Sequence, residues 1–419
     1  MLIQSIKGFN DILPDESPKW HFIERTAREV FETYGFREIR IPILEKTALF
    51  ARSIGETTDI VEKEMYSFVD RGGEQVTIRP EGTASVVRAF VQHNLYSPPG
   101  LLKLYYMGPM FRHERPQAGR YRQFYQIGAE AFGIPAPSLD VEIITMLMEF
   151  FEKLGVINLA LQLNSLGCLD CRPQFKESLR NYLGSCQNKL CTDCQKRLSQ
   201  NPLRVMDCKN EACRECTSGA PSLIAFLCAP CKDHFQEVQE LLGALKMPYQ
   251  VNIRLVRGLD YYTRTTFEII APGLGTQNAV AGGGRYDGLV EELGGPPTPA
   301  IGFAIGVERL TSLLDNGGRS FKLPTPQVFI AALGETAESE AFQILYKLRK
   351  EGIRAEKDYD NPSLKSQLRK ANRSGAPWVI ILGEEELQTG RAIIKEMATG
   401  HQTQVNLTEV VTWLRDKLT

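Results

Sequence analysis

From Ser17 to Gly35 the apolar positions Trp20, Ile23, Ala27, Val30, Phe31 and Tyr34 recur three and four residues apart, which predicts an amphipathic helix. Ser17 can cap it, Pro18 suits its first turn and Gly35 ends it. The period then changes. "GFREIRIPILE" (35–45) reads as a strand, and "EQVTIRPEG" (74–82) as a second strand that runs into a helix reaching Val91. "LLKLYYMGPMFR" (101–112) and "RQFYQIGAEAFG" (122–133) predict the two arms of a long hairpin. "DVEIITMLMEFFEKLG" (140–155) predicts a helix with Ile144, Leu147, Met148, Phe151 and Leu154 on one side. A cysteine-rich stretch, roughly 165–240, interrupts this pattern and reads as an inserted subdomain. Strands resume with "QVNIRLVRGLDYYTRTTFEII" (250–270), "NAVAGGGRYDGLVEEL" (278–293) and "PAIGFAIGVERLTSLL" (299–314), the last running into a helix. "DNGGRSFKLPTP" (315–326) has the composition of a linker. Beyond it "QVFIAAL", "IRAEKDY" and "WVIILGE" alternate with helical segments, which predicts a separate α/β domain.

Strand parity points to where chemistry can sit. In "RQFYQIGAEAF" the odd positions Tyr125, Ile127, Ala129 and Ala131 are apolar, whereas the even face carries Arg122, Gln126, Gly128 and Glu130. A Gln and a Glu on either side of a glycine form a polar recess, and the missing side chain at Gly128 leaves room for a ligand. An ordinary solvated sheet face is the competing reading. "RGLDYYTRTTFE" alternates too, with Asp260, Tyr262, Arg264 and Glu268 on one side, so that two polar strand faces suggest the floor of a cleft. Gly282, Gly283, Gly284, Gly302 and Gly306 stand in or beside strands, where glycine costs stability and marks a close approach by a ligand or another backbone. No GxxxxGK[ST] loop is present. Arg112, Arg257 and Arg309 each stand at the edge of one of these segments, and the fixed fork of arginine suits phosphate oxygens.

Length and charge narrow the classes. With 419 residues, 43% of them hydrophobic, the chain can bury a large core and form two or three domains. Its net charge is -1, so any contact with a nucleic acid must come from local clusters. One such cluster is "FRHERPQAGRYRQF" (111–124), the hairpin loop, with four arginines and a histidine. No apolar run approaches the ~18 residues of a membrane span, and the start lacks the features of a signal peptide, so a cytoplasmic location is expected. All ten cysteines lie between Cys168 and Cys231. Four C-x2-C pairs, Cys168/Cys171, Cys191/Cys194, Cys213/Cys216 and Cys228/Cys231, leave Cys186 and Cys208 over. The first two pairs have the spacing of a tetrahedral thiolate zinc site and the last two could form another. Structural Zn2+ and buried thiols packing as small apolar groups both remain open.

The motifs carry a resemblance. "GFREIRIPILE", "MGPMFRHERP" through "RQFYQIGAEAFG", and "AIGFAIGVERL" resemble motifs 1, 2 and 3 of the class II aminoacyl-tRNA synthetases. "RGLDYYTRTTFE" and "AGGGRYDGL" are similar to the two signatures peculiar to the histidyl-tRNA synthetases, and the likeness extends from "KGFNDILP" to the C-terminal domain. It implies an α+β catalytic domain on a mixed, mainly antiparallel sheet over residues 1–325, interrupted by the 165–240 insertion, and a C-terminal α/β anticodon-binding domain over 326–419.

The resemblance also implies roles. ATP with Mg2+ activates L-histidine to histidyl-adenylate, and the histidyl group passes to the 3′ end of tRNA(His). Arg112 would bind the α-phosphate, Arg309 the γ-phosphate end and Glu114 the adenine side, with Arg257 as the catalytic charge at the α-phosphate. Glu81, Gly82 and Thr83 of "RPEGT", with Gln126, resemble the group that holds the α-amine; Glu130, Tyr262 and Tyr286 resemble the set around the imidazole, with Tyr261 either joining it or packing in the core. On the hairpin loop, Arg115 and Gln117 are candidates for base-edge contacts with tRNA and Arg120 and Arg122 for phosphate contacts. Lys365, Arg369, Lys370 and Arg373 form a basic stripe, either a contact for the anticodon or a solvated helix face. Motif 1, with Pro42, implies a homodimer. A catalytically inactive relative, the histidine-sensing regulatory subunit of ATP phosphoribosyltransferase, is the alternative function.

Overall fold

The structure, a computed structural model, describes residues 2–55, 58–117, 119–272, 278–321, 323–360 and 363–418. The chain divides into two compact units, Met1–Phe321 and Lys322–Thr419. Strands of the first unit are β1 (Arg37–Glu38), β2 (Leu44–Lys46), β3 (Tyr66–Val69), β4 (Gln75–Ile78), β5 (Leu102–Phe111), β6 (Gln123–Phe132), β7 (Ala160–Ser165), β8 (Tyr249–Val251), β9 (Thr263–Ile270), β10 (Ala279–Arg285) and β11 (Ala300–Gly306). Eight of them form one sheet in the order β1-β5-β6-β11-β10-β9-β7-β8, and β2-β4-β3 form a small one. The large sheet is mixed. Its two outer pairs, β1 with β5 and β7 with β8, are parallel, and the pairs between are antiparallel.

One face of this sheet buries the main core. Ile127, Ala129 and Ala131 of β6 and Ile301, Phe303 and Ile305 of β11 pack against the helices Ser17–Thr33 and Pro137–Leu154. Phe31 joins the layers, with ring centroids 5.8 Å from both Phe150 and Phe303. Each such fully buried side chain contributes roughly 1.5–3 kcal/mol of transfer free energy. The opposite face is aromatic and polar, and the helix Thr83–Gln92 covers part of it with Val86, Val87 and Phe90.

Local outcomes differ from the sequence pattern in two places. "GFREIRIPILE" is strand only over β1 and the first part of β2, and between them Arg79 hydrogen-bonds the Ile41 and Pro42 carbonyls at 2.6 and 3.2 Å. "QVNIRLVRGLDYYTRTTFEII" is strand at its ends only, in β8 and β9, so the alternation of Asp260 and Tyr262 with Arg264 does not mark one strand face. Between β7 and β8 the chain forms the cysteine-bearing segment, built of short helices around Phe175, Leu179, Leu183, Val205 and Leu223.

The second unit is a five-stranded sheet of β12 (Val328–Ala332), β13 (Ala355–Lys357), β14 (Trp378–Leu382), β15 (Arg391–Glu396) and β16 (Gln402–Asn406), in the order β13-β12-β14-β15-β16. The helices Glu335–Lys350 and Val410–Leu418 bury Ile344, Leu345, Leu348 and Leu414 against it.

Candidate active site

A cavity of about 260 Å3 opens on the aromatic and polar face of the eight-stranded sheet. Gln126 of β6, Gly282 of β10, and Ala304 and Gly306 of β11 supply its floor, and Glu81, Thr83, Arg112, Glu114, Arg257, Tyr261, Tyr262, Glu268 and Arg309 are among its walls. The three separated arginines therefore meet in one place. Arg112 donates from Nε to the Pro80 carbonyl at 2.8 Å and lies 5.3 Å from the Phe124 ring centroid. Arg257 pairs with Glu268 and lies 5.6 Å from the Tyr262 ring. Arg309 donates to the Ala279 carbonyl at 2.6 Å. Burial, with Arg120 and Arg112 close by, pulls the Arg309 guanidinium below the usual arginine range. Cations held together against that cost form a site for a multiply charged anion. Two further polar atoms at the cavity, Gln126 Oε1 and the Tyr261 hydroxyl, are buried without a hydrogen-bond partner, and such atoms carry a desolvation cost that a bound polar ligand would remove.

Behind this wall lies a buried polar cluster. Glu130 has no exposed surface; it accepts from Thr83 Oγ1 at 2.7 Å and from the Tyr286 hydroxyl at 2.5 Å. Burial pushes its carboxyl up to about 8 against those two hydrogen bonds, and buried Glu81 adds repulsion. Glu81 accepts from the Thr83 and Ala84 amides at 2.8 and 2.7 Å, so it also caps the helix Thr83–Gln92. Burial raises the Tyr261, Tyr262 and Tyr286 hydroxyls, which remain neutral donors.

The glycines make room for the protein's own side chains. A Cβ at Gly128 would stand 2.3 Å from the Tyr106 ring, and one at Gly82 2.2 Å from it. The recess expected at Gly128 for a ligand is thus filled by Tyr106. Cross-strand register gives the reason, because Tyr106 of β5 is the direct partner of Gly128. In the same way a Cβ at Gly302 would overlap Glu130, and one at Gly282 would reach the Arg257 guanidinium. Tyr106 is the site neighbour that the sequence reading missed; an aromatic facing a glycine across the hairpin was the available signal.

The hairpin loop divides. Arg115 and Gln117 are exposed. Arg120 turns inward to Glu114 at 2.9 Å and joins the cavity wall. Arg122 is tied through its amide to the Gly8 carbonyl at 2.9 Å and through Nε to the Glu114 carbonyl at 3.3 Å. Asp260 and Arg264 do not pair with each other: Asp260 accepts from Asn201 at 2.9 Å, and Arg264 lies 3.8 Å from Asp287. In the second unit, the helix Leu364–Ser374 exposes Lys365, Arg369 and Arg373, while Lys370 bonds Asp358 and Asp360 at 2.9 Å.

The cysteines group differently from their spacing. Cys168 and Cys171 meet Cys228 and Cys231, and Cys191 and Cys194 meet Cys208 and Cys213. The expected partnership of the first pair with the second is therefore wrong, and Cys216 gives way to Cys208. The two ends of the segment return together beside β7 and β8, which brings the outermost pairs into contact. Cys216 instead lies 3.7 Å from the Cys186 carbonyl.

Comparison with known proteins supplies relatives. A family model described as histidyl-tRNA synthetase matches residues 8–171 and 220–310, and one described as anticodon binding domain matches residues 327–417. A histidine–tRNA ligase of Syntrophotalea carbinolica is 53% identical over 417 residues, covering 100% of this chain and 99% of the relative. One of Geobacter sulfurreducens is 54% identical over 407 residues, covering 97% of this chain and 98% of the relative. The crystal structure of apo S. aureus histidyl-tRNA synthetase superposes with a TM-score of 0.84 at 37% identity, covering 99% of this chain and 100% of that one.

Proposed function

The chain belongs to the histidyl-tRNA synthetase family, and from that premise we propose which of its residues carry the reaction. The activity itself is that of a histidine–tRNA ligase, an aminoacyl-tRNA synthetase that joins histidine to its tRNA with ATP and Mg2+. In the first step the histidine carboxylate attacks the α-phosphate of ATP and pyrophosphate leaves. Attack of one anion on another requires positioning and charge neutralisation rather than covalent help from the protein. Arg257 and Arg112 neutralise the α-phosphate and Arg309 holds the γ-phosphate end, while Glu114 lies on the adenine side. Glu114 and Glu268 are cavity-lining carboxylates that would hold Mg2+, which would supply neutralisation of the polyphosphate charge. Convergence of the three arginines on one cavity is the observation that carries this assignment.

Glu81, Gly82, Thr83 and Gln126 serve the α-amine of histidine, and Tyr261 and Tyr262 on the cavity wall read the imidazole together with Glu130 and Tyr286, which must turn toward the cavity from their buried positions to reach it. A site built to hydrogen-bond both ring nitrogens rejects apolar isosteres, because its polar groups would be left unpaired. Arg115 and Gln117 contact the acceptor end of tRNA, and Arg120 and Arg122 serve phosphates; the exposure of the first two supports that division. The exposed stripe Lys365, Arg369 and Arg373 contacts the anticodon arm. We take 1–325 as catalytic domain, 165–240 as its insertion, and 326–419 as anticodon-binding domain. Exposed Ile43, Leu44, Phe68 and Val69, 45–56% accessible, support a homodimer through the motif 1 side of the small sheet. Ten free cysteines fit a reducing compartment, the cytoplasm. The two cysteine groups are sets of four thiol ligands that would hold structural zinc.

Histidine-dependent ATP–pyrophosphate exchange, followed by charging of tRNA(His), tests the reading. Arg257→Ala should lower exchange about 10^3-fold, the lower end of what removal of a charge-stabilising arginine costs in phosphoryl transfer, with histidine binding largely kept. Full exchange by that variant would overturn the role of Arg257. A histidine-sensing regulatory subunit would bind histidine and give no exchange.

A further inference from the structure

The chain between β7 and β8 sorts eight of its cysteines into two sets of four, and within each set all Sγ atoms lie within 4.8 Å of one another. Cys168 is 3.6 Å from Cys171 and 3.8 Å from Cys228, and Cys191 is 3.9 Å from Cys208, measured between sulfurs. A disulfide requires about 2.05 Å. Four sulfurs each about 2.3 Å from one zinc form a tetrahedron with edges of about 3.8 Å, and these three separations match it. Backbone amides are already aimed at two of the sulfurs: Cys228 N–H at Cys171 Sγ and Cys191 N–H at Cys213 Sγ, both at 3.2 Å.

The same segment holds the part of the site that has no strand to hold it. Arg257, Tyr261 and Tyr262 lie in the irregular stretch between β8 and β9. Arg204 Nη1 donates to the Arg257 carbonyl at 2.9 Å, and Asn201 donates to the Asp260 carboxylate at 2.9 Å. Both donors stand on the loop closed by Cys194 and Cys208. Arg172, which directly follows Cys171, donates to the Tyr262 carbonyl. On the other side of the first set, Gly167 accepts from the Arg264 amide at 2.8 Å.

We propose that this segment binds two zinc ions, one in Cys168, Cys171, Cys228 and Cys231 and one in Cys191, Cys194, Cys208 and Cys213, and that together they set the position of Arg257 and Tyr262 through Arg172, Asn201 and Arg204. Each ion displaces four thiol protons to solvent and leaves a tetrathiolate of net charge -2. Membership of the two sets rests on geometry alone, whereas the catalytic consequence rests on the ligase reading. Arg204 is a positioning residue, acting on the Arg257 backbone without touching substrate. A shift of about 1 Å at a charge-stabilising group can cost roughly 10^2-fold in rate.

The test uses the full chain purified under reducing conditions. Metal analysis should find two zinc per chain, and cobalt(II) exchanged into both sites should show the intense ligand-field bands of a tetrahedral tetrathiolate. Cys171→Ser with Cys228→Ser, and separately Cys194→Ser with Cys208→Ser, should each leave one ion; Cys186→Ser and Cys216→Ser should leave two. Since cysteine variants can fail to fold, Arg204→Gln gives an independent reading. It should retain both ions and lower the kcat of histidine-dependent exchange about 10- to 100-fold, with KM for ATP little changed and Arg204→Lys recovering part of the loss. Fewer than two ions in the unsubstituted protein, loss of an ion with Cys216→Ser in place of Cys208→Ser, or full exchange by Arg204→Gln would each overturn the proposal. Absence of exchange in the unsubstituted two-zinc protein would instead remove the ligase reading and leave both metal sites standing.

Discussion

Burial holds the Glu130 carboxyl at about 8, far above its ordinary value of 4.5, although Thr83 and Tyr286 both donate to it. The folded protein therefore keeps a proton that the unfolded chain releases. The contribution of this group to stability is fully present below about pH 4.5 and is lost as pH rises through about 8. Glu130→Gln, with the same shape and no ionisation, should make the melting temperature of the ligand-free protein less dependent on pH between those limits, as thermal unfolding at a series of pH values would show. An unchanged profile would mean that the carboxyl titrates in its ordinary range. Glu130 was legible as a polar residue on the even face of a strand. Its complete burial was not, because Tyr106, Tyr286 and the bare position at Gly302 arrive from three other strands or loops.

At the scale of elements, the β5–β6 hairpin separates two sets of polar side chains. Arg112 at its inner end and Arg120 on the loop face the cavity, whereas Arg115 and Gln117 face solvent. Arg115→Ala should leave ATP–pyrophosphate exchange intact, because that half-reaction contains no tRNA, and should raise KM for tRNA in charging about tenfold, the cost of one lost contact of ~1.4 kcal/mol. Equal damage to both reactions would place Arg115 with the ATP residues. The hairpin itself was plain in the sequence: two long alternating runs flank a polar loop, and the register follows once they pair. The stretch from 252 to 262 was not. Its alternation imitates a strand, yet its Arg257 and Tyr262 carbonyls are taken by Arg204 and Arg172, which lie far away in the chain.

For the whole molecule, 49 basic and 50 acidic residues nearly cancel, so attraction for two polyanions must come from placement and not from total charge. Association of two copies is expected to use the apolar rim at Leu44, Phe68 and Val69. Phe68→Glu should shift the sedimentation mass from about twice the chain's 47.0 kDa to that value, and persistence of the larger species would exclude this face. Element order and the polar parity of β6 were legible in the sequence by itself, because periodicity and turn chemistry are properties of neighbouring residues, whereas the roles given to the motif residues came from the family resemblance. Only the tertiary structure decided that Cys208 replaces Cys216, that Tyr106 fills the space at Gly128, and that the cysteine segment holds Arg257. Each of these depends on contacts between residues remote in the chain, which the packing of the folded molecule selects and no local pattern encodes.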